Sequence, residues 1–106
     1  MPKYLLQVSY TADGAKGLLK EGGSKRRQVA EQAVKSTGGS MEAFYFAFGD
    51  TDALLIVDSP DHASVAAAAL AINASGSVRC KTTVLLTPEE IDQATKKSVT
   101  YRAPGQ

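Results

Sequence analysis

The most constraining stretch of this chain is a pair of apolar runs, "SMEAFYFAF" (40–48) and "DALLIVDS" (52–59), joined by "GDTD". Each run has strand length, and the joint is turn chemistry: glycine supplies unusual φ and aspartate bonds locally to backbone. The two segments therefore read as a β-hairpin that is apolar on both faces. Phe44, Phe46 and Phe48 fall on one side, with Ala43, Tyr45 and Ala47 on the other; Leu54 and Ile56 alternate with Ala53, Leu55 and Val57. A sheet covered by helices on one side only alternates apolar with polar. Each large apolar side chain is worth roughly 1.5–3 kcal/mol when buried. Both faces of this hairpin therefore call for cover.

The flanking segments supply one of the two covers. "KYLLQVSY" (3–10) is a short strand rich in aliphatic and aromatic residues. "TADGAKGLLKEGG" follows as a helix with Thr11 or Asp13 as N-cap and Gly22–Gly23 as its break. "SKRRQVAEQAVKSTGG" restarts a helix from Ser24, with Val29, Ala30, Ala33 and Val34 as its apolar stripe and Gly38–Gly39 as its stop. After the hairpin, "PDHASVAAAALAINASG" opens on Pro60 and Asp61 and ends between Asn73 and Gly76. "SVRCKTTVLL" (77–86) is the fourth strand. "TPEEIDQATKK" has Thr87 as cap and Pro88 at the first helical position, giving a short last helix.

The order β-α-β-β-α-β plus a short helix predicts an α+β fold of the ferredoxin-like kind. It has one antiparallel sheet in strand order 4-1-3-2, with both main helices on one face. At 106 residues and 11.1 kDa this is a single domain over residues 1–97, with 98–106 as a tail. The remaining open face is expected to be covered by a second copy, sheet against sheet, as in dimeric α+β barrels; a ligand or another partner is the alternative.

Composition excludes several partners. Twelve basic against eleven acidic side chains, a formal net charge of +1, leave no electrostatic footprint for nucleic acid or an anionic membrane. No stretch has the length of a bilayer span and the N-terminus lacks a signal-peptide pattern, so a cytoplasmic protein is expected. Cys80, the only cysteine, permits no internal disulfide and fits a reducing compartment. Phosphate-loop, dinucleotide, zinc-protease, esterase and RNA-binding signatures are absent, and no cofactor is expected.

The string "FYFAFGDTDALLIVDSPD", followed by "NASGSVRCKTTVLLTPEE", resembles the GYD-domain family of small bacterial and archaeal proteins. Gly49 and Asp52 hold the outer positions of the Gly-x-Tyr-Asp motif, and Thr51 stands where tyrosine is usual. Ser75, Gly76, Val78, Arg79 and Thr82 match the second block, with Cys80 where threonine is common; Arg26 stands where the family tends to carry an arginine. The resemblance covers the chain up to about the last helix. It implies a ferredoxin-like fold and association into dimers or larger rings, and supplies no reaction.

Candidate chemistry is sparse. Asp50, Asp52, Asp58 and Asp61 split between the two ends of one strand, which suits turns and caps better than the six to eight oxygens of a calcium site. No metal site is expected. His62, the only histidine, falls in the first turn of a helix, where a solvated or capping side chain is expected. Cys80 sits between Arg79 and Lys81, whose side chains point to the opposite face, and reads as a small inert hydrophobe. Arg79 shares its face with Lys81 and is suited to pair with a carboxylate, on a ligand or on a residue such as Asp52. "GGSKRRQ" is a short basic cluster at a helix start, either a solvated face or an anion site.

Three functions stay open on these residues. The first is an oligomeric domain binding a small anionic or aromatic ligand through Tyr45, Asp52 and Arg79. The second is a cofactor-independent isomerase or monooxygenase on a small aromatic or lactone substrate, with Asp52 as base. The third is an assembly module without a ligand.

Overall fold

Regular hydrogen bonding begins two residues from the N-terminus in a computed structural model that describes residues 1–106. The elements are β1 (Lys3–Tyr10), α1 (Ala12–Glu21), α2 (Gly23–Ser36), β2 (Ser40–Phe46), β3 (Ala53–Asp58), α3 (His62–Ala74), β4 (Val78–Leu85) and α4 (Pro88–Thr95). The four strands form one antiparallel sheet in the order β2-β3-β1-β4, the expected 4-1-3-2 arrangement. No helix is long and apolar enough to cross a membrane.

The central strands make the core. Tyr4, Leu6 and Val8 of β1 and Ala53, Leu55 and Val57 of β3 point to the helix face and are buried. Val34 of α2 and Val65 of α3 close over them. Alternation puts Leu5, Leu54 and Ile56 on the other face, where they stay half-exposed because no element covers it. An extra residue in β2, Glu42, shifts the register between Met41 and Ala43. The bulge keeps Met41 and Phe44 toward the helices and leaves Ala43 and Tyr45 on the open side.

Caps and breaks follow local chemistry. Thr11 is the N-cap of α1, accepting from the Gly14 N–H at 3.2 Å and donating toward the Ser77 carbonyl at 3.0 Å. Gly22, at φ 86°, separates α1 from α2 and is itself the N-cap of α2. Ser24, expected as the cap, therefore lies inside α2, two residues past Gly22. Asp61 caps α3 by accepting from the Ser64 N–H at 2.8 Å. Thr87 and Glu90 form the reciprocal capping box of α4.

Two strand ends differ from the expected ones. β2 stops at Phe46 rather than residue 48: the Ala47 N–H still donates to the Asp52 carbonyl at 2.9 Å, one rung beyond the strand, and the chain then bends over residues 48–50. Phe48 consequently leaves the sheet and is fully exposed instead of packing beside Phe44. β4 ends at Leu85, and every residue from 86 to 102 is exposed. Together α4 and the tail form an arm standing off the body.

The arm sets the dimensions of the chain. The Cα radius of gyration is 16.8 Å, against about 13 Å for a compact chain of this length. The accessible surface is 7469 Å², where a compact monomer of this mass exposes about 5,700 Å².

Two expected outcomes follow from the helix starts. At Gly14 an added Cβ would lie 1.9 Å from the Ser77 carbonyl oxygen, whereas at Gly17, in the same helix, it would meet nothing within 4 Å. In urea unfolding, Gly17→Ala is expected to stabilise by about 0.5–1 kcal/mol. Gly14→Ala is expected to destabilise by about 1–3 kcal/mol, because the clash outweighs the same helical gain. The hydrogen bonds from Ser64 hold the Asp61 carboxyl below its ordinary 3.8. A depressed carboxyl stabilises the fold above its unfolded value and loses that contribution as pH falls through the folded value. The urea midpoint of Asp61→Ala should therefore fall below wild type at pH 7, and the difference should close as pH drops below 3.8.

Candidate functional site

The best-formed concavity lies at the end of the sheet where β1 finishes and the β2–β3 turn begins. Asp52 organises it. Its backbone N–H donates to the Val8 carbonyl at 2.8 Å, its own carbonyl accepts from Ala47, and its Oδ2 accepts from the Tyr10 N–H at 2.8 Å. These bonds tie the turn to the last residues of β1 and hold the carboxylate in place. Phe46 extends from the end of β2, and Ala15 and Leu18 of α1 form the opposite wall. Gly23 lets α2 start close to the Phe46 ring, since an added Cβ would meet that ring at 2.9 Å.

The result is a cleft of about 440 Å³ whose principal walls are Tyr10, Leu18, Phe46, Phe48 and Asp52. Phe44 and Phe46 meet edge to face with centroids 5.1 Å apart, which steadies the wall. The lining is apolar except for Asp52 and the Tyr10 side chain, and no cation lines it. Phe48 at 105% and Phe46 at 38% relative exposure mark its solvent side as open.

Of the three residues expected to bind a ligand together, only Asp52 lies here. Tyr45 and Arg79 both belong to the open face, on β2 and β4, which are the two edges of the sheet. Tyr45 sits opposite Leu54, and Arg79 opposite Ser9. Three strand spacings separate those edges, about 14 Å, so the two side chains do not converge within one copy. Arg79 also forms no ion pair with Asp52; the only pairs join Lys3 to Glu42 and Asp58, and Arg26 to Glu21.

The remaining acids and the histidine have other partners. Lys3 reaches Glu42 at 2.8 Å and Asp58 at 2.9 Å, so Asp58 serves a cross-strand ion pair rather than a turn or cap. These hydrogen bonds raise the Lys3 ammonium above its ordinary value. His62 is not simply solvated: its Nδ1 shares a 2.5 Å hydrogen bond with the hydroxyl of buried Tyr4. Cys80 is half-buried on the helix face, and burial pushes its thiol up, away from the reactive thiolate. The Asn73 side chain accepts from the Cys80 N–H at 2.7 Å and donates to its carbonyl at 3.3 Å, satisfying one step of the free β4 edge.

Arg26 is half-buried and incompletely paired. Its Nε is buried without a hydrogen-bond partner, and the nearest carboxylate, Glu21, is 3.8 Å away. It borders a groove of about 380 Å³ between α2 and α3, otherwise walled mainly by alanines and small hydroxyl residues.

The cleft was missed in the sequence because its walls come from four segments. Tyr10 reads there as a strand residue, Leu18 as part of a helix and Phe46 as one of three aromatics on a strand face. The one local signal was the acid-rich turn that makes Asp52 stand out.

Comparison with known proteins agrees with this architecture. The sequence model of the GYD domain matches residues 4–95. No curated protein sequence matches the chain. Among solved structures, the Mycobacterium tuberculosis leucine response regulatory protein (LrpA) is similar at a TM-score of 0.51 and 14% identity, over 81% of this chain and 51% of that one. The structure of MtbAldR is similar at a TM-score of 0.59 and 18% identity, over 97% of this chain and 58% of that one. The chain thus spans little more than half the length of either, and the likeness is one of fold. With most of its length matched by the family model, the chain belongs to the GYD domain family.

Proposed function

We propose that this protein is a self-associating domain that binds a small aromatic ligand in the cleft beside Asp52. The observation carrying the reading is the pairing of apolar, largely aromatic walls with one anchored carboxylate in about 440 Å³. That is the composition of a small-molecule site: mostly hydrophobic, with a few placed polar groups. Ring stacking on Phe46 and Phe48 supplies affinity, and Asp52 selects for a hydrogen-bond donor or a cation on the ligand. An anionic ligand is disfavoured in this cleft, because a carboxylate would face Asp52 with no cation among the lining residues.

Self-association is supported by the open sheet face. Leu5, Leu54, Ile56 and Leu85 are half-exposed there, with Tyr45 at 70% exposure beside them. A second copy stacked sheet to sheet, in the manner of a dimeric α+β barrel, covers that face. It also gives Tyr45 and Arg79 an interfacial role they lack within one copy.

Titration calorimetry with matched phenyl ligands tests the site. Phenethylamine is expected to bind about tenfold more tightly than phenylacetate, a difference of about 1.4 kcal/mol. Asp52→Asn should remove that preference, and Phe46→Ala should weaken both ligands. Equal binding of amine and acid to the wild type, or a preference unchanged in Asp52→Asn, would contradict the assignment.

A further inference from the structure

We infer that the C-terminal arm of one copy, α4 and the residues that follow it, docks on the cleft of a second copy and closes its solvent side. This rests on the self-association proposed above and adds to it which segment completes the ligand site.

The arm is regular structure without a partner. Its helix is fully specified locally, by the Thr87–Glu90 capping box and Pro88 in the first turn, yet none of its side chains is buried. Pro88, Ile91 and Ala94 recur at three-residue spacing and form one apolar edge, with Ile91 at 46% exposure. Val99 and Tyr101, at 78% and 76%, continue the exposed apolar surface beyond the helix. An eight-residue helix is marginal in water without packing, so this one is expected to have a surface to lie on.

That surface is not on its own chain. β4 delivers the arm at the end of the sheet where Leu85 pairs with Lys3. The cleft is at the opposite end, beyond Tyr10 and Val8. Eight strand residues lie between, about 25 Å. Two copies related by a two-fold axis across the strands bring the arm end of each to the cleft end of the other. The exchange is reciprocal and closes on itself.

Charge favours the same match. α4 carries Glu89, Glu90 and Asp92 and no basic residue. At the start of α2, Arg27 lines a shallow depression that shares Gly23 and Phe46 with the cleft. An acidic helix whose apolar edge meets Phe46 and Phe48 therefore places its carboxylates beside a basic rim, which steers and orients the docking. Ile91 becomes the outer wall of a pocket that a single copy leaves open.

Crosslinking of separately expressed and remixed full-length chains tests the exchange. In a Cys80→Ala background, one chain carries Ile91→Cys and the other, expressed with ¹⁵N, carries Phe48→Cys. Both positions are exposed, so folding is preserved. A short bismaleimide is expected to give a crosslinked pair of mixed isotopic mass as the main product, and Arg27→Glu should reduce its yield several-fold. A native mass spectrum showing the oligomer, with no Ile91–Phe48 crosslink, overturns the arm exchange and leaves sheet-to-sheet association standing. A crosslink within one chain carrying both cysteines at high dilution overturns it as well. A monomer in the native spectrum removes both readings.

Discussion

The whole molecule depends on one interdigitated stripe, Tyr4, Leu6 and Val8 of β1 against Ala53, Leu55 and Val57 of β3, capped by Val34 and Val65. These residues are the floor onto which α2 and α3 pack. Because side chains alternate along a strand, burying this set commits the intervening residues to the other side. Leu5, Leu54 and Ile56 are therefore turned outward by the same register that forms the core. The exposed apolar face is a direct geometric consequence of how the core is made, and the need for a partner follows from it.

Much of the fold was legible for the same reason. Strong caps and breaks stand in the sequence where the structure uses them: Thr11, Gly22, Gly38, Thr87 and Pro88. The element order β-α-β-β-α-β implied the strand order 4-1-3-2. What local patterns did not carry was long-range pairing. Ser24 has the chemistry of a cap, but Gly22 turns the chain two residues earlier, and Phe48 has the composition of a strand residue but falls where the chain bends over residues 48–50. The bulge at Glu42 and its bond to Lys3 depend on residues 39 positions apart.

The candidate site was legible only in part, again for a physical reason. Asp52 stands out in sequence as one acid among several in a turn, and the structure shows it bonded to two residues of β1 across the sheet end. Tyr45 and Arg79 lie on the second and fourth strands, which the expected order 4-1-3-2 already sets at opposite edges, so grouping them in one site ran against that order. His62 and Tyr4, separated by 58 positions, meet through a single short hydrogen bond that no spacing rule anticipates. Side chains that meet only through tertiary packing leave no periodic trace.

Surface and shape point to an incomplete unit. An apolar sheet face, an open aromatic cleft and a helical arm without contacts occur together in a chain of 11.1 kDa. Each is costly for an isolated monomer, and in the proposed dimer a second copy covers all three. Small-angle X-ray scattering of the full chain across a dilution series tests this most directly, because it reports mass and radius together. The account predicts a particle of at least twice 11.1 kDa at micromolar concentration. A particle of 11.1 kDa that keeps a radius near 16.8 Å at every concentration would contradict it.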